Sequence, residues 1–105
     1  MTDIIEVDPM TAKQWVDAGQ AQLIDVRENH ELASYSITGA LHNPMSSFDI
    51  DAVPNDGNRK MIFVCAHGMR SAQVGQFLLD KEHLSEAYNL TGGVAGWAGS
   101  GLPSG

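Results

Sequence analysis

Met61-Ile62-Phe63-Val64-Cys65-Ala66-His67-Gly68-Met69-Arg70-Ser71 is the stretch that decides the fold. Its first four residues are apolar without a break, as in a strand buried on both faces of a parallel sheet. Cys65 follows at once, the only cysteine among 105 residues. A short loop holding a glycine and an arginine comes next. From Ser71 the period changes: Ala72, Val74, Phe77 and Leu78 fall at helical spacing, with Gln73, Gln76 and Asp80 on the opposite face. The order is strand, tight loop, helix. Cys65 then lies at the carboxyl end of the strand, the edge at which open α/β sheets bind ligands.

That position changes what a thiol can do. A loop curling between a strand end and a helix start turns backbone N–H groups inward, and the first helical turn adds unpaired N–H groups and the positive end of its dipole. Such a cradle holds an anion, and a thiolate is one. Cys65 is expected to ionise below the roughly 8.5 of a free thiol. Most lone cysteines behave as small buried hydrophobes; Gly68 and Arg70 close behind Cys65 favour the reactive thiol. His67, inside the loop, is either a solvated side chain or a substrate contact.

Outward from this unit the chain alternates strands and helices. Ile4 to Val7 is a strand candidate stopped by Asp8-Pro9. Thr11 and Gln14 have the spacing of a capping box that opens a helix, with Ala12, Trp15 and Val16 as its apolar stripe and Gly19 at its end. Leu23 to Val26 is a second strand, interrupted by Asp25, an acid that needs an edge position and a partner to be buried. Glu28 to Ser34 is a short helix, and Ala40 to Asn43 a third strand ended by Pro44. Ser46 and Ser47 are caps for a brief helix through Phe48 and Ile50. Residues 54 to 58 form the densest cluster of turn formers. After the central unit, Glu86 to Leu90 is a fifth strand, and the glycines at 92, 93 and 96 lead into a last short helix around Trp97. Those glycines match neither a dinucleotide fingerprint nor a Walker loop; they mark backbone turns and close packing. The expected fold class is α/β: a three-layer sandwich, about five parallel strands with helices on both faces.

Composition sets the limits. With 43% hydrophobic and 18% charged residues the chain can bury a core, and its length suits one domain over 1–105. Six basic against 13 acidic residues give a net charge of −7, which argues against nucleic acid and anionic membranes as partners. One cysteine excludes an internal disulfide and suits a reducing compartment. Cys65 and His67 without further ligands make no zinc site. The absence of a long apolar run and of a signal-like start points to a cytoplasmic protein, although the chain can equally be one module of something larger.

Four blocks, Leu23 to Glu28, Ile37 to Pro44, Cys65 to Ser71 and Leu90 to Trp97, together resemble a single-domain rhodanese, a sulfurtransferase. The resemblance covers most of the chain in the family's order. It implies a five-stranded parallel sheet and a catalytic cysteine that takes a sulfane sulfur from a donor such as thiosulfate. The persulfide then passes that sulfur to cyanide or a thiol, with a protein acceptor also open. Cys65 matches the nucleophile. Ala66, His67, Gly68, Met69, Arg70 and Ser71 match the loop that binds the transferred sulfur, and Asp25 and Arg27, in the first block, are expected to be supporting residues. No cofactor and no metal is implied. Thr38 stands where proline is frequent, a departure confined to a surface turn. Ala66 and Met69 replace the basic or polar side chains of some thiosulfate-using members, which leaves a persulfide carrier as an alternative donor.

Arg70 has two readings: contact with the departing anion, or a brace bonded to Asp25 or Glu28, the brace being favoured because a guanidinium makes planar two-point bonds. Two rival functions stand beside sulfur transfer. A cysteine phosphatase has a similar cradle but one more residue between cysteine and arginine than the four here. A non-catalytic, regulatory rhodanese-like module usually lacks the cysteine.

Overall fold

In a computed structural model that describes residues 2–55 and 57–103, five parallel strands form one sheet with helices on both faces. In chain order the elements are β1 (Ile5–Val7), α1 (Pro9–Asp17), β2 (Ala21–Asp25), α2 (Asn29–Leu32), β3 (Leu41–His42), two 3₁₀ turns (Met45–Ser47 and Ile50–Ala52), β4 (Lys60–Val64), α3 (Met69–Asp80), β5 (Tyr88–Leu90) and α4 (Gly93–Gly99). The strand order is β1-β5-β4-β2-β3, so β4 is the middle strand and Cys65 leaves from the centre of the sheet.

The period of two in β4 explains why its run is apolar throughout. Ile62 and Val64 pack on one face with Ala12, Val94 and Trp97 of α1 and α4. Met61, Phe63 and Cys65 pack on the other with Val74, Leu78 and Leu79 of α3. Each residue faces a helix layer, and none faces water. The same alternation puts Cys65 on the α3 side, beneath the start of that helix.

The helix boundaries correct several sequence expectations. The cap of α1 is Asp8, not Thr11: Asp8 Oδ2 accepts the Thr11 N–H at 3.2 Å, and Thr11 Oγ1 donates to Asp8 Oδ1 at 2.6 Å. Pro9 takes the first helical position, where its missing N–H is harmless. Helix α2 covers only four residues of the expected span from Glu28 to Ser34. The segment around Ser46 is two 3₁₀ turns, and the Ser46 hydroxyl donates to Glu28 instead of capping a helix. Helix α3 starts two residues before Ser71, and its buried stripe is Ser71, Val74, Gly75, Leu78 and Leu79. Phe77, placed on that stripe by its spacing, is 45% exposed. The reason is Gly75: the helix sits so close to Ile4 and Phe63 there that the seam runs through the glycine and leaves Phe77 on the flank.

Asp25 is 1% exposed at the carboxyl end of β2, one strand in from the edge strand β3. Its partner is Arg27, whose Nε and Nη2 donate to the carboxylate and whose own N–H donates to Oδ1 at 3.0 Å. The guanidinium also reaches the Tyr35 carbonyl at 2.8 Å. The pair thus ties the β2 end to the chain that leads into β3.

Candidate active site

Cys65 is buried, 1% exposed, at the carboxyl end of the middle strand. The loop after it is shaped by two backbone devices. Gly68 takes φ +102°, a left-handed conformation natural only to glycine, and this turn directs its N–H back onto Cys65 Sγ at 3.1 Å. On the outer side, the N–H groups of Val94 and Ala95 at the start of α4 bind the carbonyls of Cys65 and Ala66 at 2.8 and 3.1 Å. The loop carbonyls therefore point toward α4 while the Gly68 amide points inward. Gly93 makes that approach feasible, since a Cβ there would lie 2.3 Å from the Cys65 carbonyl oxygen.

The side chains complete the cup. Ser71 Oγ stands 3.3 Å from Cys65 Sγ and 2.5 Å from Asn89 Oδ1. Asn89, on β5, donates to the Gly68 carbonyl at 3.0 Å and to the Glu6 carboxylate of β1. Burial pushes the Cys65 thiol up and is the largest single influence on it. The Ser71 hydroxyl and the backbone N–H groups of Ser71, Gly68 and His67 together outweigh burial, and the thiol ionises below its ordinary range.

Arg70 does not bond to either carboxylate expected from the sequence. Its Nη1 and Nη2 donate to Glu31 Oε2 and Oε1 at 2.9 and 2.7 Å, a two-point bond between the first turns of α3 and α2. Asp25 is taken by Arg27, and Glu28 by Ser46. Glu31 Oε2 also accepts the Glu28 N–H at 2.8 Å, which closes α2 and aims the carboxylate. The Arg70 bond pulls the Glu31 carboxyl down to about 2. Arg70 in turn holds its proton more tightly, first through Glu31, with the Cys65 charge a lesser contribution. The brace thus leaves a positive charge near the thiolate.

The remaining predicted loop residues divide by role. His67 presents an exposed side chain and contributes its backbone N–H to the sulfur. Ala66 is half-buried, and Met69 is 77% exposed at the mouth of the loop. Asp25 and Arg27 stand one strand away, with no bond to Cys65. Among the described residues no group of three His, Cys, Asp or Glu side chains could hold a metal, and no helix is long and apolar enough to cross a membrane. The sequence reading missed Glu31, Asn89 and Glu6. Only Asn89 carried a signal, a polar residue in the middle of an otherwise apolar strand.

Comparison with known proteins identifies the family. Residues 8–100 match the rhodanese-like domain family model. The chain is 31% identical over 98 residues to the thiosulfate sulfurtransferase GlpE of Actinobacillus pleuropneumoniae serotype 7, covering 93% of this chain and 90% of that protein. It is 33% identical over 101 residues to a sulfurtransferase of Allochromatium vinosum, covering 93% and 92%. The crystal structure of a rhodanese-related protein from Thermoplasma volcanium superposes with a TM-score of 0.82 at 27% identity, covering 96% of this chain and 97% of that one. By the match along most of its length, and by the sheet that carries it, this chain belongs to the rhodanese-like domain family.

Proposed function

We propose that the chain is a sulfurtransferase that carries a sulfane sulfur on Cys65, from thiosulfate or a persulfide to cyanide or a thiol. The observation that supports it most is the cup around Sγ: inward amide and hydroxyl donors beneath the start of α3, sufficient to favour the anion over the effect of burial. A thiolate so held attacks the outer sulfur of the donor. With thiosulfate, a bond forms between Cys65 Sγ and that sulfur, the sulfur–sulfur bond of the donor breaks, and sulfite leaves with the electron pair. The negative charge then sits on the outer sulfur of the persulfide, where loop N–H groups stabilise it without reorganising. An acceptor attacks the same outer sulfur, and Cys65 returns as thiolate.

The roles follow from position. Cys65 is the nucleophile; Gly68, His67 and Ser71 supply donors to the sulfur; Ala66 and Met69 shape the opening; Arg70, held by Glu31, fixes the loop and adds positive charge. Asp25 and Arg27 hold the end of β2 alongside. The four-residue spacing from Cys65 to Arg70, one short of the phosphatase signature, weighs against a phosphatase.

The test is intact mass. After incubation with thiosulfate and removal of excess reagent, the protein should be heavier by one sulfur, reversibly with cyanide. Repeating it with glutathione persulfide ranks the donors. A folded Cys65→Ala variant that still transfers sulfur, or an aryl phosphatase activity comparable to sulfur transfer, overturns the reading.

A further inference from the structure

Ser71 stands between two acceptors. Its Oγ is 3.3 Å from Cys65 Sγ and 2.5 Å from Asn89 Oδ1. A serine hydroxyl has one proton to give. It cannot serve the sulfur and the amide oxygen together. Nor can Asn89 turn away. Its Nδ2 lies 3.0 and 3.2 Å from the Glu6 carboxylate oxygens and 3.0 Å from the Gly68 carbonyl, all acceptors only. Those partners fix the nitrogen on their side and the oxygen toward Ser71. Asn89 is 2% exposed and Ser71 fully buried, so water offers neither a ready substitute.

We infer that Asn89 is a positioning residue that competes with the Cys65 sulfur for the Ser71 hydroxyl proton. The inference rests on the reading of Cys65 as the nucleophile. In the thiol, S–H donates to Ser71 Oγ and Ser71 donates to Asn89 Oδ1, so every buried group is satisfied. In the thiolate, the hydroxyl turns to the sulfur and Oδ1 loses its donor. In the persulfide the charge moves to the outer sulfur, Sγ becomes a weak acceptor, and the hydroxyl returns to Asn89. Asn89 thus disfavours the resting thiolate relative to both other states. This has a chemical use, because a thiolate stabilised too far is a poorer nucleophile. The contest lets the protein ionise Cys65 while keeping it reactive.

The competition predicts a sign that mere loosening of the loop does not. The charged and titratable groups around the sulfur are Arg70 of α3, Glu28 and Glu31 of α2, His67 in the loop, and Glu6 of β1 through Asn89. Asn89→Ala removes none of these charges, and Glu6 keeps its bond from Thr91. The rate of iodoacetamide alkylation of the free protein against pH reads the Cys65 midpoint, with the fold checked by circular dichroism. Releasing one neutral hydrogen bond should lower the Asn89→Ala midpoint by about half to one pH unit, a roughly two- to threefold faster reaction below it once the lower nucleophilicity of the more stabilised thiolate is counted. Ser71→Ala should move the midpoint up. A loop that simply came apart would take the Gly68 amide off the sulfur and raise both. An Asn89→Ala midpoint that is unchanged or raised overturns the inference. Should that variant not fold, the nearly isosteric Asn89→Leu carries the test, because it too offers Ser71 no acceptor and removes no charge; its midpoint should fall likewise, and no fall overturns the inference. Failure of wild-type Cys65 to take sulfur in the mass experiment would sink the transfer reading instead, a separate outcome.

Discussion

Gly93→Ala is the sharpest test of how the loop is held. The φ of Gly93 is +60°, and an added Cβ would lie 2.3 Å from the Cys65 carbonyl oxygen and 2.6 Å from both the carbonyl carbon and oxygen of Ala66. All three are backbone atoms of Cys65 and Ala66, so no side chain can swing aside. Either the start of α4 lifts or the loop moves. The bonds at risk are Val94 N–H to Cys65 O at 2.8 Å and Ala95 N–H to Ala66 O at 3.1 Å. The left-handed conformation costs alanine about 1 kcal/mol, and each lost bond about 1 kcal/mol more. Against this, alanine restricts the unfolded chain and returns roughly 0.5 kcal/mol. The expected net loss is roughly 2–3 kcal/mol.

Gly101→Ala is the control. Gly101 has φ +77° with nothing within 4 Å of an added Cβ, so only the conformational part applies, about 1 kcal/mol or less. Urea unfolding with a shared slope gives both losses from the midpoints. Intact mass after thiosulfate gives loading on the same samples. Gly93→Ala should be the less stable by about 2 kcal/mol and should take up sulfur at least tenfold more slowly, since a displaced loop carries its amides off the sulfur. Equal losses within about 0.5 kcal/mol, with full loading in both, would refute the view that α4 sets the shape of the loop.

Two further perturbations address the ion pairs. Asp25→Asn leaves the Arg27 guanidinium, 4% exposed, without its charge partner, and should cost about 3–5 kcal/mol in urea unfolding; a loss under 1 kcal/mol would show that the Tyr35 carbonyl alone satisfies Arg27. Glu31 tests the brace by pH. Its carboxyl is held at about 2, below its ordinary 4.5, so its stabilisation is present above about 4.5 and is lost as pH falls toward 2. Because the pair is partly exposed, the effect should be about 0.5–1 kcal/mol. Glu31→Gln should flatten the stability curve within that window, and a variant curve parallel to wild type would rule the brace out.

The sequence disclosed most where the physics was local. A continuous apolar run, then a cysteine, a glycine and the start of a helical period, is enough to place Cys65 at the end of a central strand, because period two and period 3.6 cannot be confused across that boundary. The order of strands and helices likewise implies the parallel sheet. Partner identity was not local. Arg70 could be assigned a bracing role from its chemistry, but Glu31, Glu28 and Asp25 are equivalent acids until the fold brings the start of α2 beside α3. Phe77 has the spacing of a core residue, yet the buried stripe of α3 runs through Ser71, Val74, Gly75, Leu78 and Leu79, with Gly75 close to Ile4 and Phe63, and Phe77 falls on its flank. Asn89 and Glu6 are 24 and 59 residues from Cys65, and nothing in the local pattern links them. The β1-β5-β4 order of the sheet does, by aligning Glu6 with Asn89 and Asn89 with Phe63 across three neighbouring strands.

The same geometry accounts for an anion cup in an acidic protein. A net charge of −7 opposes a thiolate on average, yet charges more than about 8–10 Å away are largely screened in solution. Closer in, the acids are engaged: Glu31 binds Arg70, Asp25 binds Arg27, and Glu6 binds Asn89 and Thr91. What remains in contact with Sγ is a set of donors, and the sign of the local field is theirs. Burial opposes the anion more than any single donor favours it. The thiolate therefore depends on several donors acting together, and loss of one should raise the thiol's proton affinity in proportion. Asn89 is the exception, because it draws a donor away. A site balanced in this way responds to small changes in either direction, which suits the proposed cycle of loading and unloading sulfur on Cys65.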